Sequence, residues 1–353
     1  RIVAIRKAAE TDWRKANPEK ATRMDEWFSG KAPRVDWSKV TQKEGIATRA
    51  ASATCLSVLA EEVPNMICAS ADLSNSDKTD GFLKKTKSFV RGDFSGAFFQ
   101  AGVAELTMAD MCIGMMLHGG VIAAMGTFFV FSDYMKPAVR MAALMQVPVK
   151  FIWTHDAFRV GEDGPTHQPV ETLASLRAIP GVQVLRPGDA EETVEAWKAA
   201  YESKDHPVCL ALTRQKLAVY EKADKDWKKT IRTGAYVVQE GSASPDITVL
   251  ASGSEVNTAL EAAKLVPEKK IRIVSVIDLK RFSEADDAAR NKIIGSAKRV
   301  VAAEAGIGTE WFRFVKDRSD IFSIETFGES GPAEKVAEHL HFTASDLAKV
   351  LKR

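Results

Sequence analysis

Short apolar runs alternate with helically spaced segments along most of this chain. Residues 47–59 are small and apolar at helical spacing, and 65–71 form an apolar run that predicts a strand. The alternation continues with a helix over 106–117, a strand over 120–126 and a helix over 133–146. Residues 147–154 are apolar, β-branched and aromatic, and predict the strongest strand. A helix over 170–178, a strand over 182–186, a helix over 190–203 and a strand over 208–213 follow. Such alternation predicts a mostly parallel sheet covered on both faces.

A second unit repeats the pattern. Strands are predicted over 247–252, 271–276 and 299–303, with a weaker one over 321–325. Gly253 opens a helix to Leu265 with Ser254 as its N-cap, and helices over 333–340 and 344–352 close the chain. The fold class is therefore α/β, with two domains, each a mostly parallel sheet flanked by helices. The pattern divides the chain into a charged extension or interdomain linker at 1–43, a first domain at 44–218, a charged linker at 219–230 and a second domain at 231–353. Within 1–43 only residues 2–13 predict a helix, and the rest reads as an extended connector.

Composition narrows the function classes. Of 353 residues, 45% are hydrophobic and 27% charged, the balance of a soluble globular protein. The formal net charge of +2 gives no footprint for nucleic acid or an anionic membrane surface, and neither is expected as a partner. The apolar runs are too short to span a bilayer. Cys55, Cys68, Cys112 and Cys209 form no CxxC pair, so zinc and redox motifs are not supported. Apolar neighbours around three of them predict reduced, buried thiols and a cytoplasmic protein. A start at Arg1 is expected of a piece of something longer.

The densest polar segment runs from Thr154 to Pro169 and reads THDAFRVGEDGPTHQP. It follows the strongest strand, and in parallel α/β sheets ligands bind beyond the carboxyl ends of strands. Read alone, it is either a long surface turn or a binding loop, and the spacing of His155 and His167 dictates no metal site. Glu105 opens an otherwise apolar helix, where a first-turn acid complements the helix dipole. Phe128, Phe131 and Tyr134 recur every third residue and share one side if that stretch is helical, which is the usual spacing of a core stripe.

Together, in this order and spacing, the three segments resemble the pyrimidine-binding domain of the transketolase family. GEDGPTHQP at 161–169 is similar to that family's most specific motif. The resemblance extends through Ser70-Ala71-Asp72-Leu73, Leu117-His118-Gly119-Gly120, residues 139–144 and Leu212-Thr213-Arg214-Gln215. In the second domain, Gly253-Ser254-Glu255-Val256, Glu304-Ala305-Gly306 and residues 326–330 are similar to the family's C-terminal domain.

The resemblance implies an enzyme that moves a two-carbon ketol unit between sugar phosphates in the pentose phosphate pathway. It implies thiamine diphosphate and Mg²⁺ as cofactors, and a homodimer. Glu105 matches the glutamate that binds N1′ of the aminopyrimidine and promotes loss of the thiazolium C2 proton. Phe128, Phe131 and Tyr134 match the aromatic pocket around that ring. Asp72 matches an acid near the dimer-related cofactor. His167 matches a histidine near the donor's first hydroxyl and carbonyl, and His155 and Asp163 match groups on the sugar hydroxyls. Arg49 and Arg214 match the arginines that clamp the sugar phosphate, with Ser76 adding a hydroxyl.

The sequence departs from the family pattern at three places. Ala104 stands where arginine often precedes the glutamate, a feature shared with deoxyxylulose-phosphate synthases. Ala157-Phe158-Arg159 replaces the commoner Ser-Ile-Gly. No Gly-Asp-Gly signature for Mg²⁺ and diphosphate occurs, since Gly92-Asp93-Phe94 fails at its third position. The chain is thus expected to lack the diphosphate and metal ligands, to be inactive alone, and to need a diphosphate-binding domain in cis or as a separate subunit. Deoxyxylulose-phosphate synthase, dihydroxyacetone synthase, a dehydrogenase β-subunit and a non-catalytic assembly subunit are the other readings.

Overall fold

The computed structural model describes residues 1–353. The first domain is built on six strands: β1 Met66–Ser70, β2 Phe98–Gln100, β3 Ile122–Phe128, β4 Lys150–Thr154, β5 Gln183–Leu185 and β6 Val208–Leu212. They lie in the order β2-β1-β3-β4-β6-β5, all parallel. β4 and β6 are buried at every position, as expected of central strands with both faces covered. The helices Glu105–His118 and Ser132–Leu144 pack on each other, and the former also packs on β3. Met108, Ala109, Cys112 and Ile113 turn inward from the first of these helices.

The second sheet contains β7 Ala235–Gln239, β8 Ile247–Ala251, β9 Ile271–Val276, β10 Arg299–Glu304 and β11 Ile321–Ser323, in the order β11-β10-β8-β9-β7. Four of these strands are parallel, and β7 closes one edge antiparallel to β9. The sequence pattern did not announce β7, the short β2 or the helix Asp287–Ile294. Each is short and takes its place from pairing or packing with distant segments.

Three local expectations are corrected. Beyond residue 16 the N-terminal stretch is not extended: a second helix, Pro18–Phe28, starts with proline at its first position, where the missing N–H costs nothing. Ser254 does not cap the Glu255–Lys264 helix through its side chain, because its hydroxyl bonds the Glu255 carboxylate instead. Phe128, Phe131 and Tyr134 do not ride one helix, but span the end of β3, a 3₁₀ turn and the first turn of Ser132–Leu144. The charged segment 219–230 is partly buried: Tyr220 and Trp227 pack inward, and the Lys222 ammonium sits over both rings. No helix is long and apolar enough to cross a membrane.

The domains meet across a buried ionic network. Arg186, directly after β5, is fully buried. Its guanidinium donates to Asp156 Oδ2 at 2.8 Å, Glu255 Oε2 at 2.6 Å and the Ser252 carbonyl at 2.7 Å. Arg177 makes a two-pronged pair with Glu304 at 2.8 and 2.9 Å, and Trp311 Nε1 donates to the same carboxylate. Burial raises the Glu304 pKa, but the Arg177 and Arg186 charges outweigh it and hold the group down at about 2. Burial pushes the Asp156 carboxyl up, against the pull of Arg186. Removing one partner from such a network leaves uncompensated charge out of water. Arg186→Met is therefore expected to cost about 3–5 kcal/mol, read as a lower urea midpoint of unfolding. A loss under about 1 kcal/mol, the range of exposed ion pairs, would show that the network is not coupled to folding.

Candidate active site

The carboxyl end of the first sheet collects the polar residues. Asp72 and Ser76 follow β1, Phe128 ends β3, the 155–168 loop follows β4, and Arg214 follows β6. The helix Thr48–Glu62 begins beside them and contributes Arg49. Its start is tied to the end of β6. The Thr48 N–H donates to Thr213 Oγ1 at 3.0 Å, and the Thr213 N–H donates back to Thr48 Oγ1 at 2.7 Å. The segments that carry Arg49 and Arg214 are thereby cross-linked, although 165 residues separate them.

Arg49 is the centre of one cluster. Its Nη1 donates to the Ser76 carbonyl at 2.8 Å and lies 3.4 Å from Ser76 Oγ. The same nitrogen is 3.3 Å from His155 Nε2. A guanidinium can only donate, so His155 Nε2 accepts, Nδ1 carries the proton, and it donates to Thr154 Oγ1 at 2.9 Å. Arg49 and Arg214 have no carboxylate partner within hydrogen-bond or ion-pair distance, unlike Arg177 and Arg186. Burial and the neighbouring Arg214 charge push the Arg49 pKa down. The Gly161 backbone, at φ +80°, packs against the Arg214 guanidinium; a Cβ there would lie 3.4 Å from it.

A second cluster is aromatic. Phe128, Phe131 and Tyr134 form a staircase of rings with both centroid steps at 5.9 Å and interplanar angles of 18° and 23°. Phe128 is buried and Tyr134 is exposed. His167 stands edge-on to Phe131 at 5.3 Å and to Phe128 at 5.9 Å, and His155 lies 3.8 Å from the Phe128 ring centre. The staircase thus joins the two histidines. His167 engages only Nδ1 within the chain, with Thr166 Oγ1 at 2.9 Å.

Glu105 starts the Glu105–His118 helix and is 8% exposed. Neither a hydrogen bond nor an ion pair is made by its carboxyl within the chain, so a largely buried acid waits without a partner. Asp163 is exposed and acts on Arg49 electrostatically. Asp72 is exposed, contacts none of the others, and holds φ +64°. His155 also holds a positive φ, +62°. Non-glycine residues in this region store about 1–3 kcal/mol of strain, and such strain concentrates at working sites.

The structure brings together Arg49, Ser76, His155, Phe128, Phe131, Tyr134 and His167, with Arg214 and Asp163 beside them. It also assigns structural work to residues that sequence reasoning passed over. Asp77 is fully buried, accepts from Ser70 Oγ and the Thr79 N–H, and fixes the turn that carries Ser76. Asp156 anchors the residue after His155 to Arg186. The available signal was position alone: Asp156 lies two residues beyond the strand predicted over 147–154, and Asp77 six beyond that over 65–71.

Burial, then the charges of Arg49, Arg214 and His167, lowers the His155 pKa from the ordinary 6.5 to about 3. The folded state thus binds this proton more weakly than the unfolded chain. Its penalty is absent above pH 6.5 and grows as pH falls toward 3. Wild type is expected to lose about 1.4 kcal/mol more stability than His155→Gln between pH 7.5 and 5.5. Urea titrations at the two values check this, and parallel pH dependence in both proteins would refute a neutral, buried His155.

Comparison with known proteins is consistent with this geometry. Residues 44–219 match the family described as Transketolase, pyrimidine binding domain, and residues 234–343 match the Transketolase-like TK C-terminal domain. The transketolase of Treponema pallidum (strain Nichols) is 45% identical over 346 residues, which is 96% of this chain and 52% of the relative. A transketolase from Pichia stipitis in complex with sedoheptulose-7-phosphate superposes with a TM-score of 0.87 at 32% identity, covering 96% of this chain and 51% of that one. A split gene transketolase, solved as an inactive β4 tetramer, superposes with a TM-score of 0.67 at 25% identity, covering 87% of this chain and 98% of that one. The chain spans about half the length of the curated relatives it matches. With both family domains matched in order, and its polar residues gathered at the carboxyl end of the first sheet, the chain belongs to the transketolase family.

Proposed function

We propose that this chain is the pyrimidine-side half of a transketolase, an enzyme moving a two-carbon ketol unit from a ketose phosphate to an aldose phosphate. The observation that carries the reading is Glu105: a carboxyl 8% exposed, at a helix start, with no partner in its own chain. Such a group fits a ligand nitrogen that shares a proton, and the stacked rings of Phe128, Phe131 and Tyr134 fit a flat heterocycle. The donor set therefore suits the aminopyrimidine of thiamine diphosphate. When bound, that cofactor supplies the carbon nucleophile for the ketose carbonyl.

Glu105 holds a proton at N1′ of the pyrimidine and so sets the ring's tautomer. Phe128, Phe131 and Tyr134 hold the ring plane. His167 leaves Nε2 free for the donor's first hydroxyl or carbonyl, while neutral His155 and Asp163 meet the sugar hydroxyls. Arg49 and Arg214, two guanidiniums lacking carboxylate counter-ions, fit the dianionic phosphate at the far end, with Ser76 beside them. Asp72 faces the partner subunit. A diphosphate-binding domain, in cis or as a separate subunit, brings the diphosphate and Mg²⁺ ligands. The likeness to a split gene transketolase supports the separate-subunit form as an alternative to the in-cis one. Four buried, unpaired thiols support a reducing cytoplasm as the location.

The chain also pairs with a second copy. Leu106, Met111 and Leu117 on one helix, and Met141, Leu144 and Met145 on and after the next, leave a large apolar area exposed. Multi-angle light scattering should give a dimer at micromolar concentration, and Leu144→Asp with Met111→Lys should dissociate it. A clean wild-type monomer at high micromolar concentration would count against this.

The functional test joins the chain to its diphosphate-binding partner with thiamine diphosphate, Mg²⁺, xylulose 5-phosphate and ribose 5-phosphate. The chain alone should show no turnover, and the joined enzyme should show it. Glu105→Gln, which preserves volume and hydrogen bonding, should lower kcat by about 10²–10⁴-fold with a smaller change in KM. If deuterium exchange at cofactor C2 is equally fast in both proteins, Glu105 is not the activating group.

A further inference from the structure

The loop 161–169 has little structure of its own. It consists of two single-turn 3₁₀ segments, Gly161–Asp163 and Pro165–His167, hinged at Gly164 with φ +73°. A segment this irregular samples many conformations unless something outside it fixes its backbone. Yet it carries Asp163 and His167, the two groups read above as sugar contacts.

What fixes it comes from the second domain. Gln168 is 2% exposed, and both ends of its amide are engaged: Oε1 accepts from the Gly328 N–H at 3.0 Å and Nε2 donates to the Glu329 carbonyl at 3.1 Å. Ser330 Oγ donates to the Glu162 carbonyl at 2.6 Å. Ser330 also fills the space beside Gly164, where an added Cβ would come within 3.1 Å of its own Cβ. At Gly328 an added Cβ would fall 2.4 Å from Gln168 Oε1, so the turn 328–331 approaches the loop as closely as glycine allows. These contacts bracket the segment: Glu162 is held immediately before Asp163, and Gln168 immediately after His167. Just beyond, the Ile307 N–H donates to the Val170 carbonyl at 3.0 Å and continues the tie. None of these groups touches the side chains of Asp163 or His167.

We infer that the second domain is a positioning element for the sugar-binding loop, with Gln168 and Ser330 as the residues that transmit its grip to Asp163 and His167. This rests on the functional reading given above. Catalytic side chains must be held within a fraction of an ångström by neighbours that do not react, and a misplacement of about 1 Å can cost about 10²-fold. Gln168→Met keeps the length and apolar volume of the side chain but leaves Gly328 N–H and the Glu329 carbonyl unpaired. Ser330→Ala removes one bond with minimal change of shape and serves if the first variant folds poorly.

Two measurements test the inference. The first uses the full chain without cofactor. Amide deuterium uptake across 161–168 should be faster in both variants than in wild type, and no faster in Tyr236→Phe. That comparison variant loses a bond to Glu192 elsewhere at the domain junction. Unchanged uptake in both Gln168→Met and Ser330→Ala overturns the inference, whatever the activity proves to be. The second uses the enzyme joined to its diphosphate-binding partner. Donor kcat/KM should fall about tenfold or more in Gln168→Met, mainly through KM, while deuterium exchange at cofactor C2 stays at the wild-type rate. Tyr236→Phe should lower the Tm without moving KM. If Gln168→Met and Tyr236→Phe change Tm and KM in the same proportion, the contact is structural and the inference fails. A wild-type enzyme with no turnover defeats the functional reading and leaves the exchange comparison to decide this one.

Discussion

The loop that follows β4 is anchored to the second domain by the burial of Arg186. A guanidinium removed from water costs several kcal/mol unless its donors are met and its charge is balanced. Asp156 and the second domain's Glu255 and Ser252 carbonyl meet those donors, and Glu304 lies 3.9 Å away. Glycine at 253 is part of the same requirement. A Cβ there would sit 2.7 Å from Arg186 Nε, and the backbone holds φ +61°. Neither domain completes this shell alone. Asp156 is also the residue after His155, so the balance of charge at the junction and the strained backbone of a site histidine are one problem with one solution.

The candidate site is electrostatically unusual for the same reason. Arg177 and Arg186 form ion pairs with carboxylates, whereas Arg49 and Arg214 form none. Two adjacent cations with no carboxylate in ion-pair contact are unfavourable in the empty chain and become favourable when an anion arrives. Histidine 155 pays part of that cost by remaining neutral, its Nε2 turned to accept from Arg49.

Much of the fold was legible because parallel sheets write themselves as apolar runs. β4 and β6 are buried at every position, and the pattern located both to within a few residues. Two of the four edge strands were not legible: β7 takes its antiparallel place from pairing with β9, and β2 is three residues long. The helix Pro18–Phe28 hid behind a mostly polar surface, with Ala21 alone buried. At the site, the motif around His167 and the family-like arginines could be named from sequence order. Their convergence depended on contacts such as Thr48 with Thr213, which no local pattern encodes. No local pattern marked Asp156, Arg186, Glu255 and Glu304 as buried, because burial of an ion is decided by its distant partners.

The paired bonds between Thr48 and Thr213 have a mechanical consequence. They place the start of the domain's first helix beside the end of its last strand, with Arg49 on the helix and Arg214 just beyond the strand. An anion held by both arginines would act as a reversible cross-link that closes a loop of more than 160 residues. Unlike a disulfide, such a link is lost when the chain unfolds, so it stabilises by binding the folded state alone, and more strongly as the anion concentration rises above its dissociation constant. A bound anion would then serve as a fastener for the domain as well as a ligand for the two arginines.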